Sequence, residues 1–277
     1  HIFHFPKSDT IYILWKELIM IGFFSAGITY AEIEFMEDTS IFKDMIAVYS
    51  LVGFVLSLLL VFRTNTAYDR WWEGRKKWGE LVNNSRNLAI KISSMIDNKE
   101  DRAFFSRMIP NYAFSMKEHL RGKVIIEELE LTDTEKAEIE LMEHKPNFVT
   151  HSMYKKLHDI KKEKRISEEE FLSIDNNLKT LSDIIGACER IKNTPIPYSY
   201  SLFLKKFIFL YVITLPLGFV SSFGYYTPAI SIFIFYILVS MEVLAEEIED
   251  PFGKDANDLP TSDLSKKIRA NVQEVLR

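Results

Sequence analysis

The stretch IFKDMIAVYSLVGFVLSLLLVF, Ile41–Phe62, decides the fold class. It is almost wholly apolar, and at about 1.5 Å of rise per residue it is long enough to cross a hydrocarbon layer as a helix. It runs without a proline into RTNTAYDRWWEGRKKWGELVNNSRNLAIKISSM (63–95), which is charged and aromatic yet still helix-compatible. One helix over 41–95 is therefore expected, apolar at its start and water-compatible at its end. Such a helix forms a wall that extends from a bilayer into a cytosolic domain.

Three further apolar runs lie outward from it: Ile11–Ala31, Leu202–Phe219 and Thr227–Leu244. Lys16 and Glu17 sit near the start of the first, where a lysine stem can snorkel to the interface. Lys205 and Lys206 occupy the first turns of the third. Soluble chains rarely hold four such runs, so the sequence predicts an all-α membrane protein with four transmembrane helices per subunit and a large cytosolic helical region. A mean hydropathy of −0.02 hides this, because two apolar blocks flank a charged middle. The expected organisation is 1–62 for the first two spans, 63–201 for the cytosolic helices, 202–244 for the last two spans and 245–277 for a C-terminal turn and helix.

Charge near the span ends sets the orientation. Between the first two spans lie Glu32, Glu34, Glu37 and Asp38, with Lys43 the only base; SSFGYYT (221–227) carries no charge. The opposite sides carry Arg63, Arg70, Arg75, Lys76 and Lys77, and then Arg190, Lys192, Lys205 and Lys206. The excess of positive charge places both termini and 63–201 in the cytoplasm of a multi-pass inner (plasma) membrane protein. Trp15, Tyr30, Tyr225 and Tyr226 suit interfacial depths.

Composition narrows the function. Thirty-four basic against 39 acidic residues, a net of −5, offers no basic face to nucleic acid. The single Cys188 excludes an intrachain disulfide framework and a multi-cysteine zinc site. The sequence holds no GxSxG, Walker loop, GxGxxG or HExxH, and the spans hold few intramembrane charges, which ranks a membrane enzyme last. The chain opens on His1, which points to a trimmed or missing native start, and no signal peptide is read; His1 and His4 are given no chemistry.

The middle reads as helices. Asp101–Arg121 has apolar residues at helical spacing, and Thr132 with Glu135 and Ser167 with Glu170 form capping boxes. His144, His151 and His158 recur every seven residues, about 10 Å along a helix and too far apart to share one ion, with Pro146 expected to interrupt that helix. They read as exposed or packing side chains. TPIPYSY (194–200) is a rigid entry turn to the third span. Thr261–Arg277 carries Leu264, Ile268, Val272 and Val275 on one face, with Ser262 or Asp263 as its cap.

Two constellations stay open on the residues alone. Glu242, Glu246, Glu247, Glu249 and Asp250 lead into PFGKDANDLP (251–260), either a solvated face or a cation-binding turn in which Asp255 and Asp258 supply carboxylates. Phe54, Leu58 and Phe62 repeat at i, i+4 and i+8, drifting about 40° per step. They form either a lipid-facing or packing stripe, or a pore lining. Their span is apolar all round, so periodicity does not select between these.

Three stretches together resemble the bestrophin family in its bacterial branch: LVFRTNTAYDRWWEGRKKWGELVNNSRNLA (60–89), RIKNTPIPYSYSLFLKKF (190–207) and EIEDPFGKDANDLP (247–260). The RWW after the second span and the DPFG turn after the fourth carry the resemblance, which covers nearly the whole chain. It implies a homopentameric ion channel with one central pore and no required cofactor, passing monovalent ions. Counting back from Arg70-Trp71-Trp72, it places three apolar neck rings at Phe54, Leu58 and Phe62, able to gate by dewetting. It implies a second, cytosolic constriction near the helix that starts at Ser167, with Phe171 and Ile174 as candidates. In vertebrate members the turn after the last span clasps calcium; Asp255 and Asp258 match those carboxylate positions. Here Lys254, Ala256 and Asn257 interrupt the acidic run, and the clasp's N-terminal contribution falls before residue 1, which weighs against calcium. Five copies carry −25, five times −5, which favours cations slightly over chloride in a wide vestibule. The competing reading is a membrane-anchored signalling scaffold that conducts nothing.

Overall fold

The structure is a computed structural model that describes residues 10–36 and 45–277. Glu37, Asp38, Lys43, His1, His4 and the first turn of the expected second span lie outside the described residues. Among the described residues nine α-helices run in order: α1 (Thr10–Phe35), α2 (Met45–Met95), α3 (Lys99–Leu120), α4 (Asp133–Glu140), α5 (Lys145–Lys162), α6 (Glu168–Asn193), α7 (Tyr198–Phe223), α8 (Thr227–Glu249) and α9 (Thr261–Val275). There is no strand among the described residues. The single helix expected through the Phe62–Arg63 border is present as α2, 51 residues long.

Among the described residues three stretches are long and apolar enough to cross a membrane: Thr10–Phe35, Met45–Met95 and Tyr198–Glu249. The third consists of α7 and α8, separated by a single 3₁₀ turn at Gly224–Tyr226. Gly224 has φ of 50°, a left-handed value that suits the residue closing α7.

The chain forms two compact units. The first holds the chain up to Arg70 together with Pro195–Glu249. Its interior is a small apolar cluster that includes Ile21, Leu56, Leu60, Leu204, Val212 and Leu215. Polar side chains bridge the helices within it: Ser25 Oγ donates to Ser231 Oγ at 3.1 Å, and Tyr49 Oη donates to the Thr214 carbonyl at 2.7 Å. α2 and α7 approach closely at glycines. A Cβ on Gly218 would lie 2.6 Å from the Tyr49 ring, and one on Gly53 would lie 2.7 Å from the Tyr211 hydroxyl. The outer surface of this unit is apolar, with Phe23, Phe54, Phe209 and Phe233 all exposed. That inside-out distribution suits lipid or partner helices and is unlike a water-facing surface.

The second unit holds Trp71–Thr194 and Asp250–Arg277. Its core is conventional, built on Trp78, Leu88, Ile92, Phe105, Met108 and Met153, with Leu178, Leu181, Ile268 and Val272 from α6 and α9. Buried amides fix the register of α2 against α6. Asn84 Nδ2 donates to the Asn177 carbonyl at 2.9 Å, and Asn177 Nδ2 returns a bond to Asn84 Oδ1 at 2.7 Å. Both capping boxes form as expected, at Thr132 with Glu135 and at Ser167 with Glu170.

Two local expectations are corrected. Pro146 does not interrupt α5: it lies in the first turn, where its missing N–H has no partner to lose, and His144 is the N-cap. α9 is not capped by Ser262 or Asp263, which lie inside its first turn; Pro260 holds the N-cap position without a side-chain bond.

Candidate functional site: the exposed face of α2 and the turn after α8

Within the first unit, α2 has two unlike faces. Tyr49, Leu56, Leu60, Arg63 and Ala67 are buried, Leu56 and Ala67 completely. Phe54, Leu58 and Phe62 are 67%, 45% and 57% exposed. At about 100° per residue, the mean direction of this trio lies about 170° from that of the buried set. The three residues therefore form the stripe facing most directly away from the subunit's own helices. Burial thus removes packing within the subunit as the role of this stripe, leaving a lipid-facing surface or a pore lining.

Arg63 follows Phe62 in sequence but points the opposite way. Its side chain is 1% exposed; Nη2 donates to Glu249 Oε2 at 2.6 Å, and Glu242 lies 3.7 Å from Nε. Glu249 is shared further. Its Oε1 accepts from the Ile196 N–H at 2.6 Å, and its carbonyl accepts from Arg70 Nε at 3.1 Å. One carboxylate thus ties together α2, the entry to α7 and the end of α8. The network is incompletely satisfied: Arg63 Nε and Nη1 and both Glu242 oxygens lack a hydrogen-bond partner within the chain. The exposed stripe itself continues into Asn65 and Asp69, both exposed.

The two residues expected at a cytosolic constriction have different surroundings. Ile174 is fully buried in the core of the second unit, so its side chain faces the subunit's own interior. Phe171 packs against that core, with Lys161 Nζ 4.1 Å from its ring centroid. The exposed large apolar side chain of the same turn is Leu172, at 56%. The sequence did not distinguish Leu172 from its neighbours, because the face of α6 that is buried depends on α2, α3 and α5.

The turn after α8 is internally bonded. Leu259 N–H donates to the Pro251 carbonyl at 2.9 Å, and Asp258 N–H donates to the Asp255 carbonyl at 3.1 Å. Asp258 Oδ2 accepts from the Asp255 N–H at 2.6 Å. A Cβ on Gly253 would fall 2.6 Å from that same oxygen, which explains glycine there. The Trp71 indole donates to the Asn257 carbonyl at 3.0 Å. Arg121 Nε donates to the Gly253 carbonyl at 3.2 Å, with the Phe252 carbonyl 3.4 Å away, and its Nη atoms reach Thr261 Oγ1 and Ser262 Oγ.

Calcium takes six to eight oxygens, many of them backbone carbonyls. Here the carbonyls of Pro251, Phe252, Gly253, Asp255 and Asn257 already accept bonds, two of them from a fixed guanidinium. Only Asp258 Oδ1 is buried without a partner. Asp255 and Asp258 as arranged do not fit a calcium ion. Burial, together with the charges of Asp255 and Asp250, pushes the Asp258 carboxyl up to about 6, against the pull of the Asp255 N–H.

His144 does not act with His151 or His158, both of which are exposed. Its Nε2 lies 2.8 Å from Glu189 Oε1, and His119 Nε2 lies 2.7 Å from the same oxygen. Neither partner was legible in the sequence, since they stand 25 residues before and 45 residues after His144.

An all-helical chain with membrane-crossing stretches and a separate water-facing helical unit belongs to the class of integral membrane proteins. Residues 1–274 match the family model described as bacterial/fungal bestrophin protein, and the chain belongs to that family. A curated relative from Nostoc sp., named voltage-dependent anion channel-forming protein, is 37% identical over 228 residues, covering 80% of this chain and 74% of its own length. One of the same name from Mesorhizobium japonicum is 30% identical over 276 residues, covering 99% and 89%. The crystal structure of a bacterial bestrophin homologue from Klebsiella pneumoniae aligns with a TM-score of 0.86 at 27% identity, covering 94% of this chain and 97% of that one. The family and these relatives point to a non-enzymatic ion channel of the membrane.

Proposed function

We propose that the chain is one subunit of a homopentameric channel for monovalent ions in the bacterial inner membrane. Four helices (α1, the start of α2, α7 and α8) span the bilayer, and both termini are cytoplasmic. The observation that carries the reading is the α2 stripe. Phe54, Leu58 and Phe62 face away from the subunit's own core, so five copies around an axis would make three stacked apolar rings. A constriction of that kind stops ions by dewetting and opens on small rotamer or helix shifts. In the cytosolic part, Leu172 and Phe171 are better placed than Ile174 to form a second apolar constriction, because they reach the surface. Calcium is not part of the proposal.

The sign of the ion divides the supporting observations. The curated relatives are named for anions. In this chain the neck is neutral, the nearest base (Arg63) is turned inward, and the exposed charge following the stripe is Asp69. With a net of −5 per subunit, these favour cations slightly over chloride.

The test is purification in detergent followed by liposome flux. A pentamer by native mass spectrometry, with monovalent flux above that of empty vesicles, is the expected result. A monomer, or vesicles no leakier than empty ones, would instead support the non-conducting scaffold. Bi-ionic reversal potentials settle the sign: the Asp69→Asn variant should shift towards chloride, and a wild-type channel already anion-selective would refute the cation preference.

A further inference from the structure

α3 carries His119 in its last turn, α5 begins after its N-cap His144, and α6 carries Glu189 near its C-terminus. The three side chains come from separate helices of the second unit and converge on one oxygen. Both imidazole Nε2 atoms lie within 2.8 Å of Glu189 Oε1, and the rings are 4.4 Å apart between centroids. Each of the three is between 26% and 30% exposed, reachable by solvent yet anchored by buried helices. A cavity of about 340 Å³ opens beside His119, with Glu140 and Glu143 in its wall.

We propose that His119, His144 and Glu189 form a binding site for a divalent transition metal of the zinc type. Its fourth coordination position opens to water. The donor set decides the class. Two imidazoles and one carboxylate suit zinc, cobalt or nickel, whereas calcium and magnesium want oxygen alone. The three donor atoms already lie within 4.8 Å of one another, inside the span of one coordination sphere. Tetrahedral zinc at about 2.0–2.1 Å from each ligand needs donors roughly 3.3 Å apart, so the two contacts to Glu189 open by about half an ångström.

Binding also changes a tautomer. His144 Nδ1 now accepts the Asn147 N–H at 3.2 Å, so its ring proton sits on Nε2. A metal on Nε2 moves that proton to Nδ1 and removes the helix cap. Metal affinity is therefore coupled to the start of α5. The site does not depend on conduction, and it clamps α3, α5 and α6 together.

The test uses the full chain in detergent after chelator treatment. Cobalt(II) titration should give visible d–d bands of low-symmetry coordination at one ion per chain, displaced by zinc. His119→Gln, Glu189→Gln and His144→Asn should each weaken zinc binding by roughly 10–100-fold or more, since even outer partners matter that much. Asparagine keeps an N-cap at position 144, so circular dichroism should show an intact helix content in that variant. Changing His1, His4, His151 and His158 to asparagine should leave binding as it was. Absence of stoichiometric binding would overturn the proposal. So would binding that survives in the His119→Gln/His144→Asn double variant.

Discussion

Arg63 shows how one residue can define the chemistry of its neighbours by leaving them. It lies directly after Phe62 in the chain, yet the helix turns it about 100° away and into the subunit. There it meets Glu249 at 2.6 Å and faces Glu242 at 3.7 Å. Phe54, Leu58 and Phe62 on the other side are left without a neighbouring base, and the first exposed charge beyond them is Asp69. Removing Arg63 would strand two carboxylates, Glu242 being as buried as the arginine, and breaking a buried pair from one side costs roughly 3–5 kcal/mol. Arg63→Ala should therefore melt well below the wild type in detergent, and a melting temperature within a degree of wild type would show the network to be incidental. The sequence displayed Arg63 only as a positive-inside marker. Its partners stand 179 and 186 residues away, and no local spacing announces them.

At the scale of elements, helices were legible where local chemistry fixes them. Ser167 with Glu170 and Thr132 with Glu135 close their boxes as expected, because a cap needs only residues three apart. Pro146 was misread for the same local reason: a proline is neutral in the first turn of a helix and disruptive inside one, and the register of α5 decides which. Ile174 and Leu172 lie two residues apart on α6, and only the packing of α6 against the core separates a buried side chain from an exposed one. The turn after α8 shows the limit most clearly. Its acids suggest a cation, but the Phe252 and Gly253 carbonyls are bonded by Arg121, which stands 131 and 132 residues away in the chain.

That turn makes a pH prediction. The Asp258 carboxyl stands at about 6 in the fold against an ordinary 3.8, so the folded state binds an extra proton between those values. Stability from this group is full below about pH 4 and is lost as pH rises through about 6. The advantage of Asp258→Asn over the wild type in melting temperature should consequently grow from pH 4 to pH 7. A difference that is flat across that range would rule out the raised carboxyl.

At the scale of the molecule, membrane class was plain from the apolar runs, and the family followed from motifs spread over the chain. Which face of α2 looks outward was not plain. A span apolar on every side carries no periodic signal, and the distinction arises only when Leu56, Leu60 and Arg63 are seen packed into the subunit while Phe54, Leu58 and Phe62 are not. The exposed apolar surface of the first unit suits lipid or partner helices rather than water. In the proposed pentamer, the α2 stripe is the face that meets the axis.

The most direct measurement is the unitary conductance of Leu58→Ala against the wild type, in planar bilayers formed from the purified protein. In the proposed pentamer, truncating the middle ring replaces five isobutyl side chains by methyls, so the variant should assemble as the wild type does and pass a larger or more frequently open current. A variant that assembles normally and conducts just as the wild type does would contradict a neck at Phe54, Leu58 and Phe62.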